Sequence, residues 1–290
     1  MTSLLTGATG YLGSAVLDRL VASGYDVVAV VRSPGSAERV TARGARALVG
    51  DLTDVAWLTA ALADADGAIH LAAPSDGAAA LNEAVVDAAI AAYAGTGRRF
   101  VLTSGIWEFG AGDLDDDGPL DPPELVAWRV PIEQRLLASD VDAAIVAPGL
   151  VYGHGRGLIS LITDAPRTES GALTLVGDGE QHWSWVHVDD LARLYELVLV
   201  SPAASSGVAS GRIVAVDGAP LTVRALGEAV AGEAGVAGES ADASRARLGA
   251  VFADALLLDQ RASGRKAREL GWIPEHPSVL EEVERQAAAA

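Results

Sequence analysis

Apolar runs of strand length alternate with longer amphipathic segments from the N-terminus to about residue 150. A strand buried on both faces reads as a continuous apolar run, and the helices that cover it read with helical periodicity. The alternation is therefore the signature of a parallel sheet with helices on both faces. It predicts strands near Ser3–Thr6, Asp26–Val31, Ala45–Val49, Ala68–Leu71, Arg99–Thr103 and Ala143–Ala147. Helices are predicted at Tyr11–Ser23, Asp54–Ala63, Ala78–Ala94 and Pro123–Ala138. Asp54 is the expected cap of the second, because a short side-chain acceptor takes up a free N–H at a helix start. The fold class is α/β, a doubly wound parallel sheet.

Beyond Pro148-Gly149 the pieces shorten, with a predicted helix at Val188–Val200, a strand near Arg212–Val216 and helices at Val223–Ala231 and Gln260–Leu270. Ser201–Gly211 reads as a small-residue loop, and the acidic, turn-rich stretch Asp113–Pro119 as a solvated one. No repeat and no long linker divides the chain. Residues 1–153 are expected to form a cofactor-binding core, joined by the helix near 188–200 and the strand near 212–216. Residues 154–187 and 217–290 would form a small C-terminal substrate-binding lobe.

The turn after the first strand, Thr6-Gly7-Ala8-Thr9-Gly10-Tyr11-Leu12-Gly13, spaces its glycines for a tight turn, a close approach to pyrophosphate and tight helix–strand packing. The free N–H groups and dipole of the following helix favour an anion there. At the end of the second strand stand Arg32 and Ser33, where an NAD-selective site usually has a carboxylate for the ribose 2′-hydroxyl. A guanidinium fork suits a 2′-phosphate instead, so NADP(H) is the preferred cofactor, with NAD(H) as the alternative.

Bulk properties narrow the chemistry further. The 290 residues are 50% hydrophobic, enough for a large core without disulfides or metals. No cysteine is present, which excludes thiolate nucleophiles and cysteine-ligated metals, and the histidines are scattered along the sequence, so no metal is expected. A formal charge of −18 argues against nucleic acid, and no apolar stretch is long enough for a bilayer. The start has no basic region ahead of an apolar run, so a cytoplasmic protein, monomer or homodimer, is the expectation.

These motifs resemble the extended and atypical short-chain dehydrogenase/reductases, the NAD(P)-dependent epimerase/dehydratase-like group. The resemblance spans nearly the whole chain, through Gly7–Gly13, Gly50-Asp51-Leu52, Leu71-Ala72-Ala73, Leu102-Thr103-Ser104, Pro148–Gly153, Trp185–Ala192 and Glu269–Trp272. It implies a Rossmann fold in which Asp51 and Leu52 border the adenine. Leu71, Ala72, Ala73 and Thr103 would line the path to the nicotinamide, and Pro148, Gly149 and Val151 would lie near its ring.

The family's usual Tyr-x-x-x-Lys pair is missing. Lys266 is the only lysine among 21 basic residues, and no tyrosine has a lysine four positions later. Aligning the segment before Glu133 puts Leu125 at the tyrosine position and Arg129 at the lysine position. Arginine can still hold ribose hydroxyls, but leucine cannot move a proton. The usual serine position falls on Gly105, with Ser104 one residue before it.

Candidate replacements for the missing acid are Ser104, Tyr152 and His154, with the proton also available from solvent. Trp107, Trp128, His182 and Trp183 suggest an apolar, aromatic-accepting substrate pocket. Three functions stay open at this point. They are an NADPH-dependent reductase of a small carbonyl, imine or activated double bond, a catalytically silent NADP(H) sensor, and a nucleotide-sugar epimerase or dehydratase.

Overall fold

A computed structural model describes residues 1–201, 209–276 and 278–289. Seven parallel strands form the central sheet: β1 (Thr2–Thr6), β2 (Asp26–Val31), β3 (Arg46–Val49), β4 (Gly67–His70), β5 (Arg99–Thr103), then, past a short β6 (Gly112–Leu114) outside it, β7 (Asp142–Pro148) and finally Gly211–Ala215. Across the sheet the order is Gly211–Ala215, β7, β5, β4, β1, β2, β3. The chain winds outward from β1 to β3 and then restarts on the other side with β4. In such sheets, the crevice outside the carboxyl ends of the strands at this reversal is where ligands bind. Thr6 of β1 stands opposite Val30 of β2 and His70 of β4, so the reversal falls at the end of β1.

Adjacent residues of β1 are buried in two different clusters. Leu4 packs with Leu58 and Leu62 of α3 (Val55–Ala63) and Val85 of α4 (Ala78–Tyr93), while Leu5 packs with Val16 and Leu20 of α1 (Tyr11–Ala22) and Leu194 of the helix Val188–Val200. Both leucines are fully buried, each contributing about 1.5–3 kcal/mol. The expected cap is present: Asp54 accepts from the Trp57 N–H at 3.0 Å. A third apolar cluster, with Tyr152, Trp183, Trp185, Leu175 and Leu256, forms the core of the C-terminal lobe.

The structure differs from the sequence expectation in four places. The helix expected from Pro123 begins only at Arg129, as α5 (Arg129–Leu137). Residues 124–128 form turns, with the Val126 and Ala127 N–H groups both bonded to the Pro123 oxygen. Pro131 explains this, because proline lacks the N–H that a helix interior needs but is tolerated in a first turn. The second difference is α2 (Pro34–Thr41), a helix not anticipated, whose start is capped by Ser33 with proline in its first turn.

Gln260–Leu270 is not one helix. Gln260–Ala262 is a strand paired with β6, Gly264 takes a left-handed conformation at φ 61°, and only Arg265–Glu269 is helical. Last, the acidic stretch is not merely solvated. Asp116 is buried and accepts from the Val214 N–H at 2.7 Å and the Lys266 N–H at 3.1 Å, while Arg265 and Lys266 pair with Asp115 and Asp117. It fastens the lobe to the edge strand. Of the expected loop Ser201–Gly211, residues 202–208 lie outside the described residues.

Candidate active site

The first part of the site is the turn between β1 and α1. Gly7 adopts φ 73°, and the Gly10 N–H closes the turn on the Gly7 oxygen at 2.9 Å. A Cβ on Gly13 would lie 2.0 Å from that same oxygen, and one on Gly7 2.7 Å from the Leu71 carbonyl carbon. Side chains there are sterically forbidden, which is why the glycines sit at these spacings. No side chain caps α1, so the N–H groups of its first turn remain available to an anion. Thr9 and Gly10 are exposed at that end. These features fit the pyrophosphate of a dinucleotide.

The other residues expected to touch the cofactor gather at the same edge of the sheet. Arg32 and Ser33 follow β2, Asp51 and Leu52 follow β3, Leu71, Ala72 and Ala73 follow β4, Thr103 ends β5 and Pro148 ends β7. Gly149 and Val151 continue from there into β8 (Leu150–Gly153). Arg32 is exposed, with its charge near Asp51. Asp51 accepts from the backbone and hydroxyl of Thr53, and these bonds hold its carboxyl below the usual range. Ser33 spends part of its hydrogen-bonding capacity capping α2, at 3.3 Å from the Ser36 nitrogen.

Beside this edge, at the end of β5, lies a cleft of about 180 Å³ lined by Ser104, Trp107, Val126, Arg129, Pro148 and Leu150, among others. Arg129 opens α5 and donates to the Thr103 oxygen at 3.1 Å, while its guanidinium lies 4.5 Å over the Trp128 ring. Burial holds the Arg129 pKa below its ordinary value, with Glu133 and Glu108 opposing. Trp107 meets Phe252 of the lobe edge-on at 6.1 Å. Thr103 Oγ1 is 2.8 Å from the buried Tyr195 hydroxyl.

Behind the cleft sits a polar cluster that sequence reading missed. The Ser104 hydroxyl donates to Glu108, which is fully buried in the turn Ile106–Phe109. Glu133, one turn along α5 from Arg129, is also buried, and Arg212 bonds it at 3.0 Å and lies 3.5 Å from Glu108. Burial pushes the Glu133 carboxyl up to about 9, with its hydrogen bond to Glu108 adding to the rise. One signal was available in the sequence: Glu133 falls on the same helix face as the apolar Ile132 and Leu136, where a carboxylate needs a reason.

Several expected site residues lie elsewhere. Tyr152 is fully buried in the lobe core and donates to the His276 oxygen at 3.0 Å, and burial raises its pKa far above the ordinary phenol value. It does not line the cleft. Trp183 is likewise buried, with its ring N–H on the Leu256 oxygen at 2.9 Å, and His182 pairs with Asp259 at 2.8 Å. Neither lines the cleft. Trp128 packs behind Arg129 against the α3–α4 layer.

His154 is exposed on a separate, larger groove of about 490 Å³ between α1 and the helix Val188–Val200, paired with Asp189 at 2.9 Å. Three of the five histidines come together in space: the His187 ring stacks on His276 at 3.8 Å and meets His154 at 5.5 Å. With Asp189 and Asp190 they form two triads whose potential ligand atoms lie within 4.8 Å of one another. His187 Nδ1 accepts the Asp189 N–H at the helix cap.

A family profile described as NAD(P)H-binding matches residues 7–174. The chain is 30% identical over 247 residues to 2-alkyl-3-oxoalkanoate reductase of Stenotrophomonas maltophilia, covering 78% of this chain and 73% of that one. It is 29% identical over 311 residues to UDP-glucose 4-epimerase of Mycolicibacterium smegmatis, covering 95% and 94% of the two. Among solved structures, human epimerase family protein SDR39U1 (isoform 2) with NADPH matches over 100% of both chains, with a TM-score of 0.74 and 19% identity.

Proposed function

The chain belongs to the NAD(P)H-binding, epimerase/dehydratase-type group of atypical short-chain dehydrogenase/reductases, and from that premise we propose that it is an NADPH-dependent reductase of a small apolar or aromatic carbonyl, imine or activated double bond. The observation that carries this reading is the cleft at the end of β5. One wall offers the Ser104 hydroxyl and the Arg129 guanidinium, and the rest is largely apolar, with Trp107, Val126 and Leu150. Its volume of about 180 Å³ suits a compact acceptor.

When bound, the nicotinamide supplies the hydride. The protein's own tasks are then to orient the acceptor, exclude water and deliver a proton. In this reading Ser104 donates to the acceptor, and Arg129 holds the nicotinamide ribose in the role the family usually gives to lysine. Arg32, free on the surface after β2, supports the preference for NADP(H) over NAD(H). Likeness to a reductase of oxoalkanoates supports a carbonyl acceptor.

The epimerase relative covers more of the chain and favours a second reading, turnover of a nucleotide sugar. The missing tyrosine weighs against it. Following NADPH absorbance with a panel of aldehydes, ketones, imines and enones, and assaying UDP-glucose epimerisation in parallel, separates the two. Oxidation of NADPH by a compact apolar acceptor is expected. Epimerisation of UDP-glucose, or tight NADPH binding with no turnover across the panel, would contradict it.

A further inference from the structure

Two glutamates lie buried behind the cleft, with Arg212 beside both. Taking a carboxylate out of water costs several kcal/mol, and two ionised carboxylates in contact repel as well. Glu108 and Glu133 are nonetheless both buried to within 1% of full exclusion from solvent, and their carboxyls lie close enough to interact directly. Glu108 Oε2 and Glu133 Oε1 make no hydrogen bond to any donor among the described residues. A proton shared by the pair provides the donor that these oxygens lack. The groups facing the pair are Ser104 from the end of β5, Arg129 from α5 itself and Arg212 from the strand Gly211–Ala215. Ser104 touches both sides: its hydroxyl donates to Glu108 and it lines the cleft.

We propose that Glu108 and Glu133 share one proton at neutral pH and that the pair delivers it through the Ser104 hydroxyl to an acceptor in the cleft, in place of the tyrosine this chain lacks. The inference rests on the reductase reading above. With a carbonyl as the acceptor, hydride and proton arrive on different atoms. A dihydronicotinamide cofactor gives a hydride to the carbon, and the C=O π pair moves onto oxygen. The Ser104 hydroxyl, which otherwise donates to Glu108, turns its proton toward that oxygen; its Oγ–H bond breaks as the proton goes there, and the pair's proton moves to Ser104 Oγ. The products are the alcohol, the oxidised cofactor and two carboxylates facing Arg129 and Arg212, which regain one proton from water. Ser104 is the group that touches the acceptor; Glu108 and Glu133 act through it as positioning residues and proton reserve.

The full chain is tested by two readouts. Infrared difference spectroscopy of the protein without cofactor should show a protonated carboxyl band at neutral pH that disappears as pH rises through about 9, and Glu133→Gln should abolish that transition while its amide still donates to Glu108. In NADPH oxidation with an acceptor found active, Glu133→Gln should lower kcat by roughly 100-fold, the scale of a positioned proton donor, and remove the alkaline limb of the pH profile. Ser104→Ala should lower kcat similarly while leaving the infrared transition in place. Absence of a protonated carboxyl in the unsubstituted protein overturns the proposal, as does an active enzyme whose pH profile is unmoved by Glu133→Gln. Failure of every acceptor with the unsubstituted protein overturns the reductase reading itself, and the relay with it.

Discussion

The Arg129 guanidinium donates to the main-chain oxygen of Thr103 at 3.1 Å, tying the first turn of α5 to the end of β5. The bond holds a partly buried cation at the wall of the cleft. On its proposed role at the nicotinamide ribose, Arg129→Ala also removes a charged hydrogen bond to the cofactor of about 1.5–3 kcal/mol, and NADPH affinity measured by fluorescence titration should fall by roughly tenfold or more. Unchanged affinity would mean that Arg129 does not hold the cofactor.

Arg32 stands exposed just past β2, opposite Asp51 across the strand ends. Its charge favours a 2′-phosphate and does nothing for a 2′-hydroxyl. Arg32→Ala should therefore weaken NADPH binding far more than NADH binding. Equal losses for the two cofactors would remove the basis for the NADP(H) preference.

Two glycines give opposite expectations for the same substitution. Gly13→Ala drives a Cβ to 2.0 Å from the Gly7 oxygen, inside backbone that cannot yield, and should cost about 1–3 kcal/mol or more and abolish dinucleotide binding. Gly35, on the helix α2, has nothing within 4 Å of its would-be Cβ, so Gly35→Ala should raise stability by about 0.4–1 kcal/mol. Thermal denaturation of the two variants checks the pair.

Asp217 is buried and accepts from the His187 N–H at 3.1 Å, and burial pushes its carboxyl up to about 7. A raised folded-state pKa means that the folded state binds the extra proton. The stability it contributes is complete below the ordinary value of 3.8 and is lost as pH rises to about 7. Urea unfolding of Asp217→Asn should accordingly show a smaller decline in stability between those values than the unsubstituted protein. Parallel pH curves would contradict the assignment.

The parallel sheet and the dinucleotide turn were legible because both are written locally. Adjacent Leu4 and Leu5 of β1 are both buried, one in each of the two clusters that flank the sheet, and Gly13 answers a contact with Gly7 in the same turn. Pro131 was a local signal too, and it marks where α5 has to begin. The polar cluster behind the cleft was not legible. Glu108, Glu133 and Arg212 lie far apart in sequence and meet only because β5, α5 and the last strand of the sheet converge. The surroundings of Tyr152 and His154 were not legible for the complementary reason: residues up to 153 read as part of the cofactor core, and the side of the chain that faces the cleft depends on the pairing of β8 with the strand Trp185–His187.

The most direct test of the reductase reading is transfer of the label from NADPH carrying deuterium at the hydride position to a compact apolar or aromatic carbonyl, imine or enone, with the product analysed by mass spectrometry. The account predicts deuterium on the reduced carbon, with the yield falling sharply in Ser104→Ala. Unlabelled product, or no product from a protein that binds NADPH tightly, would contradict it.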